Sequence, residues 1–234
     1  MAYPEITHHG AINGVTGSCH ELKLDENNAA LIDCGLFQGA EASPDGSITE
    51  QRAIEFPIQN IKALFVTHCH IDHVGRIPYL MAAGFEGPIY CSEPSAILLP
   101  LVLEDEVKIG LSKDSYIIKK FLKLLNSRII AVPYGKWKNI PLSDASRATL
   151  NIKFKPAGHI LGSAYIETKI KQQEKEQRIT FSGDLGGPIR LYCLTPNHRI
   201  KPKEIRLVHG DQQTKLTLQG KLQQAYPDIK VWIP

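Results

Sequence analysis

The sequence predicts a layered α/β sandwich built as one domain. Short strand patterns fall into two groups along the chain, with helical patterns between and after them, which favours sheets covered by helices. A length of 234 residues suits a single domain. A hydrophobic content of 43% with 22% charged residues is ordinary for a globular chain with a sizeable core. We therefore expect one domain over residues 1–234.

The first half of the chain is rich in predicted strands. Short apolar or alternating runs bounded by polar turns predict strands at 6–12, 21–24, 30–34, 63–67, 88–92 and 129–132. One helix is expected over 74–83, directly behind the fourth of these strands. The pattern therefore predicts one sheet with a helix following a central strand.

A mainly helical stretch is expected from 95 to 127. Its apolar residues Ile117, Phe121 and Leu125 fall at i, i+4 and i+8, which is typical of one helix face. Another face is basic and carries Lys119, Lys120 and Lys123. We interpret this basic face as solvated surface and not as a nucleic-acid contact.

The second half predicts another group of strands. These are expected at 150–155, 164–170 and 178–181, with the charged segment 171–177 as a connection. A buried strand is expected at 205–208, and a short strand at 230–233. Between them, a helix is expected with one face formed by Leu218, Leu222 and Ala225.

Composition and charge narrow the function class. The formal net charge of +3 would not repel a polyanion, but it is far from the basic balance of a dedicated nucleic-acid binder. No signal-peptide pattern opens the sequence, and no apolar run approaches the length of a membrane span. The five cysteines are scattered without a C-x-x-C pair, which indicates reduced thiols. We therefore expect a cytoplasmic protein with no membrane contact.

The strongest functional signal lies at residues 68–73, which read His-Cys-His-Ile-Asp-His. Imidazole and carboxylate are the usual ligands of zinc and its first-row neighbours, and four such groups this close could face two cations side by side. Burying so many adjacent ionisable groups without metal or solvent would be costly. The pattern therefore predicts a metal site, with a solvated polar loop as the alternative.

Three further candidate ligands stand just after predicted strands. They are His159, Asp184 and His209. Strand ends are where α/β folds gather ligands. Glycines lie close to all three positions and let the backbone turn sharply and approach an ion. Each residue alone could be a ligand or a satisfied polar residue, but the recurrence of strand, turn and ligand favours the ligand.

These motifs resemble those of the metallo-β-lactamase superfamily. Residues 67–73 match its H-x-H-x-D-H signature, and Ile-Asp-Cys-Gly at 32–35 is similar to its first motif. Within the superfamily, the sequences at 157–164, 181–186 and 208–211 are similar to the third motif, fourth motif and motif C of the β-CASP RNA nucleases. The resemblance spans nearly the whole chain. It implies a four-layer αββα sandwich.

The resemblance also implies a ligand set for two divalent metal ions, zinc first, with manganese or iron as alternatives. The first ion would be held by His68, His70 and His159. The second would be held by Asp72, His73 and His209. Asp184 would bridge the two ions. Two ions about 3.5–4 Å apart can share and activate a hydroxide and clamp both reacting oxygens of a phosphodiester.

The same resemblance implies further roles around the metals. Catalytic roles fall to Asp72, Asp184 and His209. Asp33, in the first motif, would brace a ligand loop from behind. The alternative for Asp33 is a cap or turn residue.

The β-CASP cap domain is expected to be missing. In β-CASP enzymes a whole domain is inserted between motif four and motif C, whereas Asp184 and His209 are only 25 residues apart. We place the missing insertion between about 187 and 204, where the residues are of turn and loop type. In that family, the cap carries motifs that are linked to protonating the leaving group, and these would be missing too. Loss of general acid catalysis typically lowers the rate by about 10² to 10⁴. His198 is the one imidazole in the short bridge that could substitute.

Three functions are consistent with these expectations. The first is two-metal hydrolysis of RNA or another phosphodiester, and the RNA-type motifs favour it. The second is hydrolysis of a small molecule such as a thioester or lactone. The third is a catalytically weak metal-binding protein whose cap is lost or supplied by another chain, either a partner or a second copy.

Several polar residues are not expected to be ligands. His8, His9 and His20 are interpreted as surface or packing histidines. Cys69 is expected to point into the core, because it alternates with its ligand neighbours. Asp211 is expected to be the N-cap of the helix that follows it.

Overall fold

The computed structural model describes residues 3–12, 14–38, 52–186 and 202–234. Its largest sheet has six strands: β1 (Glu5–His8), β2 (His20–Asp25), β3 (Asn28–Ile32), β4 (Ile61–Phe65), β5 (Ile89–Ser92) and β6 (Ile129–Val132). They lie in the order β1-β2-β3-β4-β5-β6. The first three pair antiparallel and the last four pair parallel. The parallel strands therefore end at one common edge.

Four helices cover one face of this sheet: α1 (Ile71–Val74), α2 (Ile77–Ala82), α3 (Glu93–Gly110) and α4 (Ser115–Arg128). Leu99 and Leu103 of α3 and Leu125 of α4 are fully buried against Leu64 and Ile89 of the sheet. Burying a leucine fully is worth about 1.5–3 kcal/mol relative to leaving it exposed. This apolar layer therefore fixes the helices on the sheet.

The helix predicted over 74–83 is confirmed as α2, but it begins later than predicted, because a separate short helix, α1, ends at Val74. Arg76 separates them with φ −93° and ψ 4°, and Pro78 lies in the first turn of α2. Proline suits a first turn, where its missing N–H needs no acceptor. A Cβ on Gly75 would lie 2.7 Å from the Cβ of Leu36, so the chain packs closely at this break. The early start of α1 places Asp72 and His73 on helical backbone.

The helical stretch predicted over 95–127 is confirmed as two helices. The Asp114 carboxylate caps α4 by accepting the Tyr116 N–H at 2.8 Å, which starts a new helix after the loop. Ser92 caps α3 by accepting the Ser95 N–H. Both helix starts are therefore satisfied by side chains from the preceding residue.

The second sheet is antiparallel and has four strands: β7 (Lys138–Ile140), β8 (Ala148–Pro156), β9 (Ala164–Gln172) and β10 (Lys175–Phe181). Their order is β10-β9-β8-β7. β7 was not predicted, because it is only three residues long and two of them are exposed. The segment 171–177 is mostly strand and not a connection, since β9 and β10 stay paired up to Gln172 and Lys175. Its charged side chains are tolerated because one face of an antiparallel sheet can meet water.

The two sheets face each other across a second apolar layer. Leu150, Ile152 and Phe154 alternate along β8 and point into it, where they meet Leu22 and Phe65 of the first sheet. All five side chains are fully buried. The predicted layered α/β sandwich is therefore confirmed.

A third unit closes the described chain: β11 (Glu204–Arg206), α5 (Gln212–Ala225) and β12 (Lys230–Trp232). β11 and β12 pair in parallel, and Leu222 of α5 packs on them. The predicted N-cap is confirmed, because the Asp211 carboxylate accepts the Thr214 N–H at 2.8 Å. Among the helices of the described ranges, none combines the length and apolar character that a membrane crossing requires.

The predicted site of the missing insertion, about 187–204, lies mostly outside the described residues. His198 lies outside them as well. Both therefore stay predictions.

Candidate metal centre

Four of the candidate ligands come from the connection that follows β4. A loop carries His68 and His70, and the four-residue helix α1 then carries Asp72 and His73. His68 and His73 are buried, whereas His70 is exposed. Buried imidazoles need partners for their ring nitrogens, which the surrounding side chains supply in part.

Three other candidate ligands come from loops after later strands. His159 follows β8, Asp184 follows β10 and His209 follows β11. His209 has a φ of 58°, in the left-handed region, and its N–H donates to the carbonyl of Ala11 at 2.7 Å. A non-glycine residue held in this conformation by its surroundings is a feature of functional sites. The loop after β1 thus positions His209, and the strand predicted over 6–12 ends at His8 instead.

The first ligand group consists of His68, His70, His159 and Asp184, whose donor atoms all lie within 4.8 Å of one another. His70 Nδ1 lies 3.2 Å from His68 Nε2 and 3.1 Å from His159 Nε2. Three imidazole nitrogens therefore converge beside one carboxylate oxygen. This four-donor set fits a first-row divalent cation such as zinc.

The second ligand group consists of Asp72, His73 and His209, again with donor atoms within 4.8 Å of one another. Asp72 Oδ2 lies 3.8 Å from His73 Nε2 and 4.0 Å from His209 Nε2. His73 Nε2 is buried and has no hydrogen-bond partner among the described residues. A buried, unpaired ring nitrogen that faces a carboxylate is the state expected of a cation ligand.

Asp184 stands between the two groups. Its Oδ1 lies 3.3 Å from His73 Nε2 and 3.1 Å from His209 Nε2. Its Oδ2 lies 3.6 Å from His159 Nε2 and 4.0 Å from His68 Nε2. One oxygen thus faces each group, which is the geometry that a carboxylate bridging two cations needs. The structure brings all seven predicted ligands together in these two groups.

The protonation states of His68 and Asp184 suit metal binding. Burial lowers the pKa of His68 to about 2, and the neighbouring His73 acts in the same direction. Burial raises the pKa of Asp184, but the imidazoles of His209 and His73 outweigh burial and hold it well below its usual range. At neutral pH the Asp184 carboxylate is therefore ionised, and the His68 ring keeps a lone pair for a cation.

Asp33 links the two ligand groups from behind. Its buried carboxylate lies 2.7 Å from His73 Nδ1 and accepts the Thr67 N–H and hydroxyl, both at 2.7 Å. The Thr67 oxygen in turn lies 3.1 Å from His68 Nδ1. Burial lowers the pKa of His73, but Asp33 and Asp184 outweigh burial and raise it to about 10. Asp33 therefore orients His73 directly and His68 through Thr67.

A pair of serines that sequence reasoning missed holds the loop of His159. The Gly162 carbonyl accepts the hydroxyl of Ser92 at 2.6 Å and that of Ser95 at 2.9 Å. Inside the loop, the Ser163 hydroxyl accepts the His159 N–H at 3.0 Å. A serine such as Ser92 at a helix start is a sequence signal for an N-cap. No sequence signal indicates that Ser92 also contacts Gly162, 70 residues further along the chain.

The residues not expected to be ligands lie outside both groups. Cys69 is buried, and its thiol donates to the Ser95 carbonyl at 3.6 Å. His8 and His20 share a ring–ring contact of 2.9 Å between their Nδ1 atoms, and His9 pairs with Glu21 at 2.8 Å. These side chains have packing partners, as predicted.

A family model described as the metallo-beta-lactamase superfamily matches residues 12–207 of this chain. The chain belongs to this superfamily. The mixed α/β fold of the metallo-β-lactamases that the motifs implied is therefore confirmed. Among solved structures, the chain is similar to MEM-A1, a subclass B3 metallo-beta-lactamase from a soil metagenome library, with 14% identity over 97% of this chain and 88% of that one and a TM-score of 0.47.

Curated members of the superfamily are more similar in sequence. Ribonuclease TTHA0252 of Thermus thermophilus is 32% identical over 76% of this chain and 37% of its own length. Transcription termination factor FttA of Methanocaldococcus jannaschii is 30% identical over 75% of this chain and 26% of its own length. Integrator complex subunit 11 of Danio rerio is 28% identical over 84% of this chain and 31% of its own length. The predicted resemblance to RNA-processing metallo-β-lactamases is confirmed, although the chain spans less than two fifths of each relative's length.

Proposed function

We propose that this chain is a two-metal hydrolase of RNA phosphodiesters. The observation that carries the proposal is the position of Asp184, whose two oxygens each face a different ligand group. Two divalent cations, when bound, would supply Lewis-acid activation of water and neutralise charge that develops on a phosphodiester. Zinc is the first choice because imidazole and carboxylate donors suit it, with manganese or iron as alternatives.

The residues of the chain have separate roles in this proposal. The first cation would be held by His68, His70 and His159. The second would be held by Asp72, His73 and His209. Asp184 would bridge them, and it would share the catalytic role with Asp72 and His209, which both belong to the second ligand group. Asp33 would keep His73 in one orientation and one tautomer.

RNA is the substrate that the relatives favour. One of them is a ribonuclease, and it is 32% identical to this chain. A mild positive charge is compatible with a polyanionic substrate. A paired metal centre also suits phosphodiester chemistry, because it can stabilise both the attacking and the leaving oxygen.

We also propose that residues 1–234 form one domain without a cap inserted between about 187 and 204. The spacing of 25 residues between Asp184 and His209 supports this. The donor that protonates the leaving group would then be absent or weak, and turnover would be slower by about 10² to 10⁴ than with a general acid. A partner chain or a second copy that supplies this donor would raise the rate.

A panel assay separates the candidate reactions. Metal-loaded protein is given labelled RNA and bis(p-nitrophenyl) phosphate in one arm, and thioester and lactone substrates in the other. We expect phosphodiester turnover, its loss in Asp184→Asn, and its retention in Asp105→Asn, a matched change at an exposed carboxylate. Turnover of thioesters or lactones alone would overturn the RNA proposal. Turnover of no substrate by fully metallated protein would favour a metal-binding protein that depends on another chain.

A further inference from the structure

The outer face of the four-stranded sheet carries more cationic than acidic side chains. Side chains alternate along β8 and β9, so that the residues between the core positions point outward. The outward cationic residues of β8, β9 and β10 are Lys153, Lys155, Lys169, Lys171 and Arg178. The outward acidic residues of the same strands are Glu167 and Glu176. We call this surface the basic sheet face. Its five cations and two carboxylates give it a formal charge of +3, which equals the net charge of the whole chain, so the rest of the chain is neutral in sum.

An exposed tryptophan lies among these cations. Trp137, just before β7, is 39% exposed. The Nζ of Lys153 lies 4.4 Å from the centre of its ring, and the Nζ of Lys169 lies 5.2 Å from it. Aromatic rings flanked by cations are how proteins hold single-stranded nucleic acid, because bases stack on the ring and phosphates meet the cations. The neighbourhood of Trp137 thus combines an exposed aromatic ring with cationic groups.

Two of the lysines are held in fixed positions. Glu167 accepts from Lys153 at 2.6 Å and from Lys155 at 2.9 Å. One carboxylate thus orders two ammonium groups without cancelling both charges. This arrangement reduces the entropy that the lysines would lose on meeting a phosphate chain.

The basic sheet face leads to the metal centre. β8 ends at Pro156, three residues before His159, and β10 ends at Phe181, three residues before Asp184. Away from the metal centre, the basic sheet face extends from Lys155 to Thr149 of β8, which pairs with Lys171 of β9. This is a distance of six residues along β8. At about 3.3 Å per residue this is roughly 20 Å, enough for several nucleotides of an extended strand. A polynucleotide on this face would therefore have one end near the ligand groups.

We propose that the basic sheet face binds single-stranded RNA and directs one end of the strand to the metal centre. The inference rests on the proposed RNA hydrolysis and names the surface that holds the substrate. The polyanionic backbone is the occupant that the cation excess fits, and the Trp137 ring gives single strands an advantage over duplexes, whose bases are already stacked. This surface would provide some of the RNA contacts that a cap domain would otherwise make.

Binding and turnover are measured separately to test the surface. Fluorescence anisotropy of a labelled single-stranded RNA with phosphorothioate linkages reports binding without appreciable cleavage. One variant carries Lys169→Gln, Lys171→Gln and Arg178→Gln. Its matched control carries Lys119→Gln, Lys120→Gln and Lys123→Gln on α4, which lowers the net charge equally. A Trp137→Ala variant tests stacking alone.

We expect the sheet variant to weaken Kd at least tenfold and the α4 variant to change it less than twofold. Each lost phosphate contact should reduce the slope of log K against log salt by about 0.7, so the sheet variant should lose about 2 in slope. Equal losses in both variants would show unspecific attraction and overturn the proposal, as would no loss in either. Equal affinity for a duplex of the same sequence would contradict the stacking role of Trp137. If RNA turnover does not depend on this face, the binding proposal is wrong and the proposed function stands. If binding depends on this face but no RNA is hydrolysed, the proposed function is wrong and the binding surface stands.

Discussion

The Asp33 carboxylate lies 2.7 Å from His73 Nδ1 in the buried layer behind the metal centre. The same carboxylate accepts two hydrogen bonds from Thr67, whose oxygen lies beside His68 Nδ1. One side chain therefore sets the orientation of a ligand in each of the two groups. This arrangement makes Asp33 the residue whose loss affects the whole centre without removing a ligand.

The change Asp33→Asn tests that relationship. It keeps the size of the side chain but replaces one carboxylate oxygen with an NH2 group, so Thr67 and His73 Nδ1–H can no longer all find an acceptor, and we expect metal affinity to fall about 10–100-fold. Competition titration with a chelating dye measures the affinity. The control is Asp25→Asn, which alters a carboxylate in a turn that bonds Asn28 and Ser146. An Asp33→Asn protein with the affinity of the wild type would contradict the bracing role.

The two serines at the start of α3 should act together on the loop of His159. Ser95→Ala leaves the Gly162 carbonyl bonded to Ser92, so we expect a stability loss of about 0.5–1.5 kcal/mol. Adding Ser92→Ala leaves that carbonyl without either hydroxyl, and the double change should cost more than the sum of the single ones. Denaturant unfolding gives the free energies, and the metal affinity of the same proteins reports the position of His159.

A matched control for the serine pair exists on α4. The Ser127 hydroxyl also donates to a backbone carbonyl, that of Leu124 at 2.7 Å, but at an exposed position. Ser127→Ala should leave both stability and metal affinity nearly unchanged. If the double serine variant behaves like Ser127→Ala, the proposed anchoring of the loop is wrong.

Two packing histidines should make stability depend on pH. Burial lowers the pKa of His20 to about 3 and that of His8 to about 4, from an ordinary value of 6.5. Below pH 6.5 these histidines therefore bind protons in the unfolded chain but not in the folded chain. The folded state keeps its full stability above pH 6.5 and loses stability as the pH falls below that value. For the buried His20, the loss between pH 7 and pH 5 is about 2 kcal/mol.

Comparison with His20→Gln isolates this effect, because the variant removes the ionisable group of His20 and no other. Unfolding free energies measured from pH 7 to pH 5 should fall more steeply for the wild type than for the variant. Parallel curves for the two proteins would contradict the assigned burial of His20.

Most of the candidate centre could be predicted from the sequence because its ligands follow local rules. His68, His70, Asp72 and His73 are nearly contiguous, and His159 and Asp184 follow clear strand patterns. The contact of Ser92 with Gly162 could not be predicted, since it joins residues 70 positions apart that carry no signal of pairing. The start of α2 at Ile77 was also missed, although Pro78 in its first turn is a sequence signal for a helix start.

The fold was predictable in type and less so in extent. Strand β8 has strict alternation and its position was correct to within two residues, whereas the three-residue β7 is too short for any pattern to reveal. β1 ends at His8, before Ala11, which has a φ of 55° and whose carbonyl accepts the N–H of His209 from the other end of the chain. Long-range contacts of this kind decide boundaries that local propensity leaves open.

Metal stoichiometry tests the central claim most directly. The purified chain, loaded with zinc and freed of excess by gel filtration, should contain two ions per chain by elemental analysis. His209→Ala removes one donor from the smaller ligand group, so that protein should retain one ion, while His9→Ala, a histidine paired with Glu21 outside both groups, should retain two. Equal metal content in the wild type and His209→Ala would contradict the two-group assignment.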